Sequence, residues 1–148
     1  MKKFLYCDSC FLITFYQEGY LGFLSQYKTQ FFISKTQIDG ELIKPSDLAT
    51  IVRKNITVIE EDRDDIKDKT IEFSLLYGTL SIYDCLCMAY SILDGYCLIT
   101  DDKAFQKKCA IHGIEIKTSK EIIDEFLKGR IWNWLFLCYR SRFIWRCL

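Results

Sequence analysis

Residues 4–10 decide the fold, and they are Phe4-Leu5-Tyr6-Cys7-Asp8-Ser9-Cys10. Four apolar residues are followed at once by a carboxylate. A short apolar run of this kind is typical of a strand in a parallel sheet, where both faces are buried. An ionised carboxylate is costly to bury unless it is paired or bound to a metal. Asp8, at the end of this strand, is therefore the first candidate for a functional residue.

Further strand-like runs follow along the chain, and helical patterns separate them. The predicted strands are Phe4–Cys7, Phe31–Ser34, Ile56–Ile59, Tyr96–Ile99 and Ile114–Ile116. Helices are predicted within Ser9–Tyr27 with a break near Gly19, after the candidate caps Thr36 and Ser46, before Gly78, from Ser81 to Gly95, before His112, and over Ser119–Lys128. This alternation predicts a three-layer α/β/α domain with a central, mainly parallel sheet and right-handed crossovers.

The composition bounds the class of protein before any motif is considered. The chain has 148 residues, of which 50% are hydrophobic, and 20 basic residues balance 20 acidic ones. This length predicts one domain, and the composition excludes long disorder and a globally basic nucleic-acid binder. We predict a domain over residues 1–129 and a separate tail over residues 130–148. The tail contains four arginines and no acid, which leaves 16 basic against 20 acidic residues in the domain.

Eight cysteines raise the question of disulfides. Most of them lie inside apolar runs, where a free thiol behaves as a small buried hydrophobe, and the first apolar run is too short for a secretory signal. We therefore expect reduced thiols and a cytoplasmic location. The pair Cys7 and Cys10 is an alternative zinc or redox site. No uncharged apolar run approaches about 18 residues, so no membrane span is predicted.

Several acids fall where a parallel sheet places its ligands, beyond the carboxyl ends of the strands. Asp8 directly follows the first strand, and Asp101 and Asp102 directly follow the fourth. We expect these two strands to be neighbours at the switch point of a flavodoxin-like strand order. Two further acids, Glu41 and Asp84, interrupt apolar helical patterns.

Carboxylates that converge on one pocket repel each other and cannot all ionise unless a cation neutralises them. Mg²⁺ or Mn²⁺ suits such a site, because hard cations take oxygen ligands and keep several waters. A metal held in this way can lower the pKa of a water molecule and stabilise an in-line phosphoryl displacement. The expected chemistry is phosphodiester hydrolysis.

Four short motifs, in order along the chain, are similar to those of PIN-domain nucleases. They are Asp8-Ser9-Cys10 after a strand, Gly40-Glu41-Leu42 on a helix, Leu80-Ser81-Ile82-Tyr83-Asp84 at a helix start, and Leu98-Ile99-Thr100-Asp101-Asp102-Lys103 after a strand. The resemblance covers about residues 3–127 and leaves out the tail.

This resemblance implies a metal-dependent ribonuclease, often the toxin of a toxin–antitoxin pair. Carried over by position, it implies the catalytic acids Asp8, Glu41, Asp84 and Asp102, a metal held by Asp8, Asp84, Asp101 and Asp102, and supporting hydrogen bonds from Ser9 and Thr100. Asp102 matches the register of the last motif better than Asp101. The implied cofactor is Mg²⁺ or Mn²⁺, and the implied partners are RNA and an antitoxin; a homodimer is a further possibility.

Basic residues would hold the RNA backbone near the mouth of such a pocket. We expect Lys103 and Lys107 to do so, together with Arg140 and Arg142 of the tail. The tail also contains all three tryptophans, which allows other roles. It could be a last helix packed on the domain or on a dimer partner, an RNA-contacting strip, or a segment at a membrane interface.

Each candidate residue has a purely structural alternative. Ser81-Xaa-Xaa-Asp84 has the pattern of a capping box, Asp101 or Asp102 could be a simple N-cap, and Glu41 could be a solvated helix acid. The charged run Glu60–Glu72 is expected to be a solvated face, and His112 a helix C-terminal residue.

Two alternative functions use the same fold. One is a non-catalytic module that binds RNA or protein. The other is a receiver-like phosphoacceptor domain, which Thr100 and Lys117 would fit. A receiver needs paired acids at the end of strand one, however, and here Cys7 precedes Asp8.

Overall fold

A five-stranded sheet forms the centre of the computed structural model, which describes residues 4–130. The strands are β1 (Leu5–Cys7), β2 (Phe31–Ser34), β3 (Thr57–Ile59), β4 (Cys97–Ile99) and β5 (Ile116–Lys117). All neighbouring strands run parallel, in the order β3-β2-β1-β4-β5. The predicted parallel α/β sheet is confirmed. The last strand lies slightly later than the predicted Ile114–Ile116.

The strand order places the switch point between β1 and β4. The chain moves outward from β1 through β2 to β3, and then returns to the other side of β1 with β4. The expected neighbourhood of β1 and β4 is confirmed, with Tyr6 paired with Leu98 and Cys7 with Ile99. The expected flavodoxin-like order is wrong, because that order is 2-1-3-4-5. Receivers share the flavodoxin-like order, so the topology also argues against a receiver.

Six α-helices connect the strands, with one 3₁₀ helix. They are α1 (Ser9–Gln17), α2 (Lys35–Glu41), α3 (Leu48–Asn55), α4 (Asp64–Leu76), α5 (Ile82–Asp94) and α6 (Lys103–Ile111), and the 3₁₀ helix spans Leu21–Gln26. The predicted break near Gly19 lies between α1 and the 3₁₀ helix, where Gly19 has a φ of 75°. A positive φ favours glycine because it has no Cβ.

Two predicted helix caps are wrong. The N-cap of α2 is Ser34, whose hydroxyl accepts a hydrogen bond from the Thr36 N–H at 3.1 Å. Thr36 instead donates its own hydroxyl proton to Asp62 at 2.7 Å. The helix α3 follows Asp47 rather than Ser46.

Helices pack on both faces of the sheet, against strand residues that alternate between the two faces. On one face, Tyr6 and Leu98 join a buried cluster with residues of α4, α5 and α6. On the other face, the Phe31 ring stacks near Phe11 of α1, with ring centroids 6.4 Å apart. Burial on both faces explains why the strands are continuous apolar runs. It also fixes the carboxyl ends of β1 and β4 in a rigid frame.

Residues 119–130 belong to a separate unit from residues 4–118. Residues 119–130 are helical, in agreement with the helix predicted over Ser119–Lys128. The Arg130 guanidinium lies over the Phe126 ring, 5.4 Å from its centroid. The predicted roles of residues 131–148 fall outside the described part of the chain. Within residues 4–130, no helix combines the length and the apolar character needed to cross a bilayer.

Candidate active site

Asp8 lies at the carboxyl end of β1, and only 4% of its surface is exposed. Its backbone N–H donates to the Ile99 carbonyl of β4 at 3.1 Å, which continues the ladder between the two strands. The Thr100 hydroxyl donates to Asp8 Oδ2 at 2.8 Å. Because the adjacent strands β1 and β4 hold both residues, Asp8 has a fixed place in the sheet.

Glu41 is the last residue of α2, and its side chain is half-buried. The Ser9 hydroxyl donates to Glu41 Oε1 at 2.8 Å. Ser9 is itself buried at the first position of α1, directly after Asp8. The interpretation of Glu41 as a solvated acid is therefore wrong, and this hydrogen bond turns the carboxylate toward the end of β1.

Asp84 occupies the third position of α5 and forms the capping box that the sequence pattern allows. Its N–H donates to the Ser81 hydroxyl at 3.1 Å, and its Oδ2 accepts from the Ser81 N–H at 3.3 Å. The side chain remains half-buried. A capping role and a site role are compatible, because the carboxylate has four lone-pair positions and the cap uses one oxygen.

Asp102 is the N-cap of α6, and its Oδ1 accepts from the Phe105 N–H at 3.0 Å. The Asp102 N–H donates to the Thr100 hydroxyl at 3.3 Å. Thr100 thus joins Asp102 to Asp8. Both Asp101 and Asp102 are exposed. Of the two acids after β4, Asp102 is the one that the capping geometry holds in place.

The charges of neighbouring acids help to raise the pKa of Asp8, Glu41 and Asp84, and Asp102 is one of these neighbours. Burial is the main cause that raises the pKa of Asp8 to about 6; the charges of Asp84 and Glu41 add to it, and the Thr100 hydrogen bond lowers it. Burial also raises the pKa of Glu41, with a smaller contribution from Asp84. Burial raises the pKa of Asp84 as well, and Asp102 raises it further. The structure therefore brings these four side chains together.

The donors in this cluster are oxygens, which suit Mg²⁺ or Mn²⁺ rather than a soft metal. Cys10 brings a sulfur close to these acids, and burial followed by the charges of the acids raises the pKa of this thiol to about 11. It is therefore protonated at neutral pH and is a poor metal ligand. The same electrostatics disfavour the alternative zinc or redox pair.

The acids do not form a closed ligand shell. Among residues 4–130, no group of three or more His, Cys, Asp or Glu side chains is arranged to hold a metal ion. Mg²⁺ usually keeps several waters and binds proteins through one or two carboxylates, so it does not require three of these acids in one ligand shell. The carboxylate oxygens of these acids therefore suit the implied cofactor, Mg²⁺ or Mn²⁺.

Two polar residues near the acids, Gln37 and Lys108, lie outside the four sequence motifs. Gln37 is fully buried on α2, and its amide donates to the Ser9 hydroxyl at 2.8 Å. Lys108 of α6 lowers the pKa of Asp84 by its charge. Its Nζ donates to the Thr79 hydroxyl at 2.9 Å. Gln37 falls one turn before Glu41, and this spacing is the one signal that could have identified it.

The predicted RNA-contacting residues divide into two groups. Lys103 and Lys107 are exposed one turn apart on α6, directly after Asp102. Arg140 and Arg142 lie outside the described residues. The described part of the predicted basic surface is therefore the first half of α6.

The charged run Glu60–Glu72 is mostly exposed, as predicted, but Asp62 is buried at 8% exposure. Asp62 accepts hydrogen bonds from the hydroxyls of Ser34 (2.7 Å), Thr36 (2.7 Å) and Tyr90. We call Asp62 and these three residues the Asp62 cluster. The prediction of a solvated face is wrong at Asp62, because the three hydroxyl donors replace the water that a carboxylate requires.

The remaining candidates have structural places. His112 caps the C-terminus of α6, as predicted, and its Nε2 lies 2.6 Å from the Tyr77 hydroxyl. The six described cysteines have free thiols, and all of them are buried except Cys10. None of these side chains adds a donor to the four acids.

Comparison with known proteins identifies the fold. No protein-family profile and no curated protein matches the sequence. Among solved structures, the chain is similar to a PilT N-terminus domain protein from the hyperthermophilic archaeon Sulfolobus solfataricus P2. The TM-score is 0.56 with 14% sequence identity, over 84% of this chain and 93% of the other.

The fold is similar to that of a PilT N-terminus (PIN) domain. This likeness agrees with the five parallel strands and their flanking helices. At 14% identity it shows the fold alone.

Proposed function

We propose that this chain is an endoribonuclease that depends on Mg²⁺ or Mn²⁺. The observation that supports this most strongly is the convergence of Asp8, Glu41, Asp84 and Asp102, whose burial and mutual repulsion raise the pKa of three of them. A divalent cation would relieve that repulsion. The PIN-like fold supports the same activity.

One or two of these carboxylates would contact the cation directly, and the other acids, with Asp101 at the rim, would reach it through its waters. When bound, the metal supplies Lewis-acid stabilisation and a water of low pKa, which phosphodiester hydrolysis requires. Thr100 and Ser9 orient the carboxylates of Asp8 and Glu41 by direct hydrogen bonds. Lys103 and Lys107 would bind backbone phosphates of the RNA, which positions the strand without reading its sequence.

The function is tested by RNA cleavage with Mg²⁺, Mn²⁺ or EDTA, on single-stranded and structured RNA. We expect cleavage by the wild type with either metal and none with EDTA. Asp8→Asn and Asp102→Asn should each lower the rate at least about a hundredfold, because a lost metal contact removes several kcal/mol of transition-state stabilisation.

The matched control is Asp64→Asn, which removes a carboxylate that is 98% exposed at the start of α4. Its rate should equal that of the wild type. Cleavage that survives both site substitutions, or that survives EDTA, contradicts the proposal.

A toxin role is the finer form of this proposal. An antitoxin would then insert a blocking group into the acidic pocket, and a basic side chain would complement its charge. Co-expression with the product of a neighbouring small open reading frame tests this. Restored growth of cells that express the wild type supports a toxin, and an unchanged phenotype supports another role for the nuclease.

One observation favours a second candidate, a non-catalytic RNA-binding module. Asp84 and Asp102 both cap helices, which is a sufficient structural reason for each carboxylate. Such a module would bind RNA equally well with Mg²⁺ and EDTA and would leave it intact. The cleavage assay therefore separates the two candidates.

A further inference from the structure

Gln37 is a buried polar side chain whose amide uses every hydrogen-bonding position that it has. Nε2 donates to the Cys7 carbonyl at 3.0 Å and to the Ser9 hydroxyl at 2.8 Å. Oε1 accepts from the Tyr6 hydroxyl at 3.0 Å and from the Cys87 thiol at 3.6 Å. A buried amide with two donors and two acceptor positions filled is held in one orientation.

The orientation of this amide follows from its partners. A backbone carbonyl can only accept, so the side of the amide that faces Cys7 must be the nitrogen. On the opposite side, the Tyr6 oxygen already accepts from the Ser34 N–H at 3.0 Å. The Tyr6 proton is therefore free to go to Gln37 Oε1. Both sides of the amide require the same orientation.

The orientation of Gln37 determines the direction of the Ser9 hydroxyl. Because the Ser9 oxygen accepts from Gln37 Nε2, its single proton must be donated elsewhere. The acceptor is Glu41 Oε1, at 2.8 Å. The chain of hydrogen bonds runs from Tyr6 through Gln37 and Ser9 to Glu41, and each hydroxyl in it has one acceptor.

We propose that Gln37 is a positioning residue that, through Ser9, holds the Glu41 carboxylate in the acid cluster. The inference rests on the proposed function, because Glu41 is assigned there to the metal site. Gln37 lies one turn before Glu41 on α2 and also binds the backbone of β1 through Cys7. It therefore fixes the distance between the strand that carries Asp8 and the helix that carries Glu41.

The test compares Mn²⁺ affinity, measured by electron paramagnetic resonance, with RNA cleavage. Gln37→Met keeps the side-chain length and removes the donors and the amide acceptor. Ser9→Ala removes the hydroxyl between Gln37 and Glu41. Each variant should weaken Mn²⁺ binding about 10–100-fold, as the loss of groups that orient metal ligands typically does. The double variant should bind Mn²⁺ as weakly as either single variant, because both break one chain of hydrogen bonds.

Tyr90→Phe controls for lost stability, because it removes a buried hydroxyl from the Asp62 cluster and leaves Gln37 untouched. Its Mn²⁺ affinity should stay within about threefold of the wild type. If Gln37→Met does not fold, Ser9→Ala still tests the inference, because it removes only a hydroxyl from the same chain of hydrogen bonds.

Different results would overturn the positioning role of Gln37 and the proposed nuclease function. Wild-type Mn²⁺ affinity in Ser9→Ala or Gln37→Met overturns the positioning role and leaves the nuclease proposal standing. Effects that multiply in the double variant also overturn it, since they would show independent contributions. A wild-type protein that neither binds Mn²⁺ nor cleaves RNA overturns the proposed function and, with it, this inference.

Discussion

Asp8 and Asp62 are two buried carboxylates of one fold, and their surroundings differ. Asp8 follows β1 and is 4% exposed, and Asp62 follows β3 and is 8% exposed. Asp62 accepts from three hydroxyls, those of Ser34, Thr36 and Tyr90. Asp8 accepts from one hydroxyl, that of Thr100, and a backbone hydrogen bond from Cys10 also lowers its pKa, but burial and the other acids around it raise the pKa further.

The difference separates a structural carboxylate from a candidate catalytic one. Several hydrogen-bond donors replace the lost hydration of a buried carboxylate. Asp62 can therefore link β2, β3 and α5 without a neighbouring opposite charge. A buried anion with one hydroxyl donor and acidic neighbours is left with a cost that a cation would remove. The following substitutions test whether this distinction is correct.

The largest effect is expected for Asp8→Asn in the absence of metal. Burial raises the pKa of Asp8 from 3.8 to about 6, so folding favours the neutral carboxyl. The stabilising contribution is complete below pH 3.8 and is lost as the pH rises through about 6. Asn is neutral throughout, so Asp8→Asn should match the wild type near pH 3.5 and exceed its stability by about 3 kcal/mol above pH 7.

This pH dependence is measured by urea unfolding with EDTA at several pH values. The control is Asp64→Asn, which should follow the wild-type curve at every pH because its carboxylate is exposed. A variant Asp8→Asn that is less stable than the wild type at pH 8 would contradict the distinction, since Asp8 would then be a satisfied structural anion.

The opposite sign is expected at Asp62. Asp62→Asn replaces one acceptor oxygen with a donor, so buried hydroxyls of the Asp62 cluster lose their partner. The loss of stability should be about 1–3 kcal/mol at pH 7. Tyr90→Phe removes one donor instead and should cost less. Both are measured by chemical unfolding, and a neutral Asp62→Asn would show that the cluster adds no stability.

A smaller effect is expected where the two regions meet, at Gly40 and Tyr83. A Cβ on Gly40 would lie 2.0 Å from the Tyr83 hydroxyl oxygen, so Gly40→Ala must displace that ring. Tyr83 also lines a cavity of about 310 Å³ with Asp62, and Gly40 precedes Glu41. We expect a loss of about 1 kcal/mol, at the low end of the range for overpacking.

The double variant with Tyr83→Ala tests the cause of that loss. It should remove the clash, so that Gly40→Ala costs nothing further when the ring is absent. Thermal unfolding of the four proteins in the cycle measures this coupling. Additive effects would show that Gly40 is required for another reason.

The smallest effect concerns Lys103 and Lys107, which lie outside both regions. Lys103→Gln combined with Lys107→Gln should weaken RNA binding uniformly across sequences. The slope of log K against log salt should fall by about 0.7 for each lost phosphate contact to a single strand. Fluorescence anisotropy at several salt concentrations measures the slope, and an unchanged slope would remove these lysines from the interface.

The sequence predicts the elements of the fold well because each has a strong local signal. The apolar runs at β1 and β4 predict strands whatever lies around them, and the glycines at positions 19 and 95 end helical segments through positive φ values. The strand order depends on which faces of the helices and strands pack together, and no local sequence pattern indicates this.

The candidate site is predictable where a residue type is unusual for its place. Asp8 after a buried strand is such a residue. The sequence does not reveal the burial of Asp62, because Asp62 stands in a run of exposed acids and its burial depends on hydroxyls from β2 and α5. Gln37 is hidden for the same reason, since its partners Tyr6 and Cys87 lie far away in the chain.

The most direct measurement of the central claim is thermal unfolding of the wild type, Asp8→Asn and Asp62→Asn with and without Mn²⁺. A ligand that binds the folded state stabilises it by about 2.7 kcal/mol at a hundred times its Kd. We expect Mn²⁺ to raise the Tm of the wild type and of Asp62→Asn equally and to leave that of Asp8→Asn unchanged. Equal stabilisation of all three proteins, or loss of the effect in Asp62→Asn alone, would contradict it.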